Sequence, residues 1–122
     1  MSRFTYKILF DTSSPDDVVK MGAIEKSAAL SFVKTFPFKR ELAKRERDPS
    51  LVAPTIIFHD SMTRRYLAVR SEAPGRYAVW QPDAEARADG VQSMLKVLAC
   101  VTLFFDGKAR ELNHYIRNLA AE

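Results

Sequence analysis

Residues 65–81 read RYLAVRSEAPGRYAVWQ, and this stretch carries the strongest local signal of the fold. Two runs in which apolar and polar residues alternate flank a Pro-Gly pair. Alternation with a period of two is typical of β-strands that bury one face. The connecting Ala-Pro-Gly-Arg has the composition of a type II turn, in which Gly75 supplies the positive φ. The stretch is therefore predicted to form an antiparallel hairpin.

Further strand patterns lie on the N-terminal side of this hairpin. The sequence PTIIFHD, residues 54–60, predicts a strand that precedes the hairpin and completes a meander over residues 54–81. FTYKILF, residues 4–10, alternates in the same way and predicts an N-terminal strand with one strongly apolar side. Residues 82–90, PDAEARADG, are polar and predict a connection with at most a helical turn.

Helical patterns occupy the rest of the chain. Ser14 is a suitable N-cap and Pro15 a suitable first helical residue, and apolar residues follow at spacings of three and four, so a helix is predicted over residues 15–36. Residues 38–47 predict a mostly solvated basic helix, and residues 108–120 predict an amphipathic one. Residues 91–105 are apolar nearly all round, which favours a buried helix and leaves a strand at 99–105 as an alternative.

The order of these elements is β-α-(α)-β-β-β-α-α. Segregated strands and helices with short connections between strands indicate an α+β fold, in which helices cover one face of an antiparallel meander and its added N-terminal strand. The length of 122 residues suits a single domain spanning residues 1–122. No apolar run is long enough to cross a membrane, and with a single cysteine the chain has no internal disulfide. We therefore expect a cytoplasmic protein without a membrane partner.

Residues that could carry chemistry are few. Cys100 lies in an apolar segment, which is typical of a buried core thiol. His59, Asp60 and His114 fall on separate elements and match no zinc-binding spacing. The chain contains no GxGxxG, GxxxxGK[ST], GxSxG or HExxH motif. We therefore predict a protein that is not an enzyme and has no cofactor, metal or catalytic residue, and only a pocket that unites these three side chains would favour catalysis.

Arginines and aromatic residues dominate the polar side of the hairpin. An antiparallel sheet with helices on one side leaves its other face open, and Tyr, Trp and Arg are enriched at protein-binding hot spots. The alternative is that Tyr77 and Trp80 complete the core while the arginines solvate its edge. Tyr66, Arg70 and Tyr77 are predicted on the open side, with Trp80 replacing Tyr77 in the other register. The predicted partner-binding residues are Arg64, Tyr66, Arg70, Tyr77 and Trp80.

These features favour a small non-catalytic protein-binding domain, such as an immunity or inhibitor protein that blocks a toxin or another partner. Arginine binds carboxylates, so the partner should present an acidic surface. The formal charge of +4, from 19 basic and 15 acidic residues, also permits a nucleic-acid-binding regulator that uses helix 38–47 and the sheet arginines. A homodimer is compatible with the same pattern.

Overall fold

The structure, a computed structural model, describes residues 3–9, 18–40, 43, 55–82 and 84–121. Residues 38–40 and 43, from the predicted basic helix 38–47, are helical, and the remainder of that helix lies outside the described residues. The strands are β1 Phe4–Leu9, β2 Val18–Ala23, β3 Thr55–Asp60, β4 Arg65–Ala73, β5 Arg76–Gln81 and β6 Ala86–Val91, and the longer helices are α1 Lys26–Thr35, α2 Met94–Phe105 and α3 Ala109–Ala121.

The six strands form one antiparallel sheet in the order β2-β1-β3-β4-β5-β6. This arrangement confirms the predicted α+β class and the antiparallel meander. The turn between β4 and β5 is also confirmed, because Gly75 adopts a φ of 74°. A positive φ is easily adopted by glycine, which has no Cβ.

The core lies between the helices and one side of the sheet, which we call the helix face. Alternation along each strand directs apolar side chains to this face. Directly opposed pairs such as Phe58 with Leu67, and Val69 with Val79, carry the pattern from strand to strand. The fully buried strand residues on the helix face include Ile56, Phe58, Leu67, Val69, Val79 and Ala88.

Helix α2 is the centre of the helical layer. It contacts α1, α3 and strands β4, β5 and β6, which explains why its sequence is apolar nearly all round. Ser93 caps its N-terminus by accepting a hydrogen bond from the Lys96 amide at 3.4 Å. The helix predicted at 91–105 is thus confirmed, and the alternative strand at 99–105 is wrong. No helix among the described residues is both long and apolar enough to span a membrane.

The helix predicted over residues 15–36 is partly wrong. Residues 18–23 form strand β2, which pairs with β1, and the helix covers only Lys26–Thr35. Two adjacent valines favour an extended backbone, and Gly22 has a φ of 94°, which no α-helix accommodates. The predicted N-cap Ser14 and first helical residue Pro15 lie outside the described residues.

Residues 82–90 were predicted as a polar connection, and this prediction is also wrong. Residues 86–91 form strand β6, whose alanines at 86 and 88 are buried on the helix face. The alternation of small and charged residues was visible in the sequence. Alanine, aspartate and glycine are uncommon in strands, however, so pairing with β5 rather than local propensity produces this strand.

Candidate functional site

The side of the sheet opposite the helices is the candidate functional site, and we call it the open face. Ala68 and Ala78 mark it, because both are buried and yet neither belongs to the core cluster under the helices. Each alanine lies directly opposite a large side chain, Ala68 opposite Trp80 and Ala78 opposite Arg70. Large residues therefore shield small ones on this face. Its other members are Thr5, Lys7, Ile57, His59, Tyr66, Glu72, Arg87 and Asp89.

Trp80 is held between two arginines at the centre of the strands β4, β5 and β6. The guanidinium carbon of Arg70 lies 5.2 Å from the Trp80 ring centroid, and that of Arg87 lies 4.7 Å from it. Both distances fall within the range of cation–π attraction. Arg87 is directly opposite Trp80 on β6, while Arg70 reaches it diagonally from β4. The two contacts favour this orientation of the indole.

Two carboxylates lie beside this arginine–tryptophan cluster. Asp89 accepts hydrogen bonds of 2.9–3.1 Å from Arg87, and this contact lowers the pKa of Asp89. Burial first, and then a hydrogen bond with Asp89, raises the pKa of Glu72. Arg87 is therefore neutralised within the chain. Arg70 acts on both carboxylates through its charge, and among the described residues its side chain has no hydrogen bond like those of Arg87.

The other half of the open face carries an aromatic pair and a shallow groove. The rings of His59 and Tyr66, opposite each other on β3 and β4, stack with centroids 4.4 Å apart and planes 27° from parallel. They border a groove of about 310 Å³, which has Ile57 and Lys7 among its lining residues. The groove thus combines an aromatic wall, an apolar residue and a cation, which suits one inserted side chain of a protein partner.

The predicted site residues are only partly brought together. Tyr66, Arg70 and Trp80 lie on the open face, and Arg64 is exposed in the turn between β3 and β4. Tyr77 does not lie there: it packs against Phe38 beneath the sheet, with ring centroids 5.4 Å apart, so its predicted position on the open side is wrong.

The register between β4 and β5 explains this correction. An irregularity between Ser71 and Ala73 pairs Ser71 with Tyr77, and so aligns Tyr77 with the core residues. A regular pairing from the turn would have placed Tyr77 opposite Glu72. Glu72 is the extra residue of β4 at this irregularity and has no partner on β5. A shift of one residue moves every side chain of a strand to the other face, so this irregularity places Trp80 on the open face.

Sequence reasoning missed two members of the open face as binding residues, His59 and Arg87. His59 was considered only for catalysis, although its alternation with the buried Phe58 places it on the polar side of β3. Arg87 belonged to a predicted connection. The alternation of Ala86, Arg87 and Ala88 was the available indication, because small apolar residues on both sides of Arg87 place its side chain on the opposite face of the strand.

The residues considered for catalysis are not united in one pocket. His59 is on the open face, whereas Asp60 is buried on the helix face and His114 is exposed on helix α3. Among the described residues, no group of three or more His, Cys, Asp or Glu side chains could hold a metal ion.

Comparison of the chain with known proteins found no matching protein family, no matching curated protein and no matching solved structure.

Cys100 is fully buried in α2, and burial raises its pKa to about 12. Because the thiolate is the reactive form, we expect native Cys100 to react with a disulfide reagent at pH 8 roughly 100-fold or more slowly than the unfolded chain does. The measurement is the labelling rate with and without denaturant, with free glutathione as the control for the reagent. Similar rates in both states would contradict the buried position.

Proposed function

We propose that this protein is a small non-catalytic protein-binding domain whose open face binds an acidic surface of a partner protein. The observation that carries this proposal is the fixed arrangement of Trp80 between Arg70 and Arg87 on a face that no described helix covers. Residues that are rigid before binding lose little conformational entropy when a partner binds. In this respect the cluster resembles the aromatic and arginine anchors of binding hot spots.

The charges on the open face support an acidic contact at Arg70 in particular. Arg87 already donates three hydrogen bonds to Asp89, whereas the interaction of Arg70 with Glu72 and Asp89 is electrostatic, so a carboxylate of the partner gains more from Arg70. Arg64, in the turn before β4, and Lys7, in the same cross-strand row as Ala68 and Trp80, add positive charge. Guanidinium groups on an aromatic ring retain their in-plane donors for a carboxylate, so stacking and ion pairing are compatible.

A partner that binds in this way would be inhibited because its functional surface is covered, and no covalent change of the partner is needed. Immunity and inhibitor proteins block a toxin or an enzyme in this manner. The nucleic-acid alternative is less supported by the described residues. Glu72 and Asp89 lie among the arginines of this face and interrupt the continuous positive surface that a nucleic-acid backbone needs, whereas a protein partner needs an acidic group only at Arg70. The basic helix 38–47, which that alternative also uses, lies mostly outside the described residues.

The proposal is tested by binding measurements on a purified partner, first sought as the product of a neighbouring toxin gene or by capture from the native host. We expect Arg70→Glu to weaken binding by about 2 kcal/mol or more, because a central arginine anchor is lost and a repulsive charge is introduced. Tyr66→Ala and Trp80→Ala should also weaken it. Isothermal titration calorimetry gives the affinities, and thermal unfolding shows whether each variant is folded.

Arg110→Glu is the matched control, because Arg110 is exposed on α3, on the side of the helices. It changes the charge as much as Arg70→Glu does, so an effect through net charge alone would weaken both variants equally. Unchanged affinity in both Arg70→Glu and Tyr66→Ala would place the interface elsewhere. Failure to find a stoichiometric partner, together with salt-sensitive binding of RNA or DNA, would favour the nucleic-acid alternative.

A further inference from the structure

Strand β6 forms one edge of the sheet. It pairs with β5 on one side, and among the described residues no strand pairs with its other side. The outward N–H and C=O groups of such a strand are a ready template for pairing with another chain. Helix α3 contacts β6, and its buried Leu112, Ile116 and Leu119 belong to the core on the helix face.

The charges of β6 are complementary to themselves. Arg87 and Asp89 project from the open face two positions apart, with Ala88 between them, and they are hydrogen-bonded to each other within the chain, so a second copy would share these bonds. If a second copy of β6 pairs antiparallel to the first about a twofold axis at Ala88, then Arg87 of each copy is directly opposite Asp89 of the other. We propose that this protein forms a homodimer through antiparallel pairing of β6 in this register.

The same charges exclude the neighbouring registers. Helices stay on the same side of a continuous sheet only if the register shifts by an even number of residues. The nearest shift in one direction places Arg87 opposite Arg87 of the second copy, and the nearest shift in the other direction places Asp89 opposite Asp89. Like charges directly opposite each other destabilise a strand pair, whereas opposite charges stabilise it. The register about Ala88 alone pairs both residues favourably.

The remaining residues of this register are small. Ala88 meets Ala88 of the second copy, so no bulky side chain obstructs the approach there. The regular pairing of β6 with β5 ends after Ala88, and Gly90 has a φ of 67°, so the regular ladder of the dimer is confined to the residues around Ala88. The dimer would join the two sheets into one and keep both open faces on the same side. Two Trp80 clusters would then lie three strand spacings apart, about 14 Å measured across the strands. The inference does not depend on the proposed partner binding, which uses the face and not the edge.

Charge reversal tests the register. Arg87→Asp places two aspartates opposite each other at both pairs, and Asp89→Arg does the same with arginines. We expect each variant alone to raise the dimer dissociation constant by about tenfold or more, measured by sedimentation equilibrium. An equimolar mixture of the two should form a heterodimer of wild-type affinity, because every pair across the edge is then complementary. Native mass spectrometry identifies the heterodimer by its mass.

Two further variants separate pairing from folding. The double variant Arg87→Asp/Asp89→Arg retains complementary pairs within and between copies, so it should dimerise like the wild type. Arg64→Asp changes the charge equally in the turn after β3, away from the edge, and should leave dimerisation unchanged. Circular dichroism establishes that each variant is folded. A wild type that stays monomeric up to about 1 mM overturns the proposal, as do single variants that dimerise normally or a mixture that does not associate.

Discussion

Phe58→Ala should lower the free energy of unfolding by about 3–5 kcal/mol. Phe58 is completely buried on the central strand β3, and its ring packs edge to face against Phe105 of α2 with centroids 5.4 Å apart. It also lies opposite Tyr6 and Leu67 on the two neighbouring strands, so truncation leaves a cavity that touches both layers of the core. Urea unfolding followed by circular dichroism measures the loss.

Ile57→Ala is the matched control, because it removes a large apolar side chain from the next position of the same strand. Ile57 is half-buried on the open face, outside the core under the helices, so the expected loss is only about 1 kcal/mol. Phe58→Leu, a milder change at the core position, keeps the comparison measurable if Phe58→Ala does not fold. Equal losses at positions 57 and 58 would contradict the division of the sheet into a helix face and an open face.

That division is the part of the structure that the sequence predicts best. Period-two alternation over residues 65–71 places Leu67 and Val69 towards the helices and Tyr66 and Arg70 away from them, as the structure has it. Alternation works here because burying one face of a strand requires apolar residues at every second position. The same reasoning predicts the amphipathic helix α3, whose Leu112, Ile116 and Leu119 are buried.

The parts that sequence reasoning missed depend on contacts between strands. Whether Trp80 or Tyr77 faces the open side is set by the irregular pairing at Glu72, which no local pattern reveals. Strand β6 forms because it pairs with β5, and strand β2 forms because it pairs with β1. Gly22 and Gly90, which adopt positive φ within or beside these strands, lower the local strand propensity further. Tertiary pairing therefore decides the segments whose own propensity is weak.

The second large effect is expected for Asp60→Ala, which should lower the free energy of unfolding by about 3 kcal/mol. The carboxylate of Asp60 is 3% exposed, and it accepts two hydrogen bonds of 2.9 Å from Arg3. It also accepts one of 3.0 Å from the Met62 amide. Its removal therefore breaks the hydrogen bonds that connect Arg3, before β1, with the turn after β3. Thermal and urea unfolding at neutral pH measure the loss.

Asp89→Ala, measured at a concentration at which the chain is monomeric, provides a control of similar geometry and different burial. The ion pair of Asp89 with Arg87 is also 2.9 Å long, but the Asp89 side chain is 54% exposed. Water already solvates both charges there, so its removal should cost well under 1 kcal/mol. If the two variants lost equal stability, burial would not be the source of the Asp60 contribution.

The pH dependence of the Asp60 contribution has a defined sign. Burial tends to raise the pKa of Asp60, but hydrogen bonds from Arg3, Thr63 and the Met62 amide outweigh it and hold the pKa below its usual value. Because the folded state has the lower pKa, the contribution is complete above the unfolded-state value of about 3.9 and is lost as the pH falls through the folded-state pKa. The stability difference between the wild type and Asp60→Ala should therefore be constant from about pH 5 to 8 and should narrow below about pH 4. A difference that instead widens in acid would show that protonated Asp60, rather than the carboxylate, stabilises the folded chain.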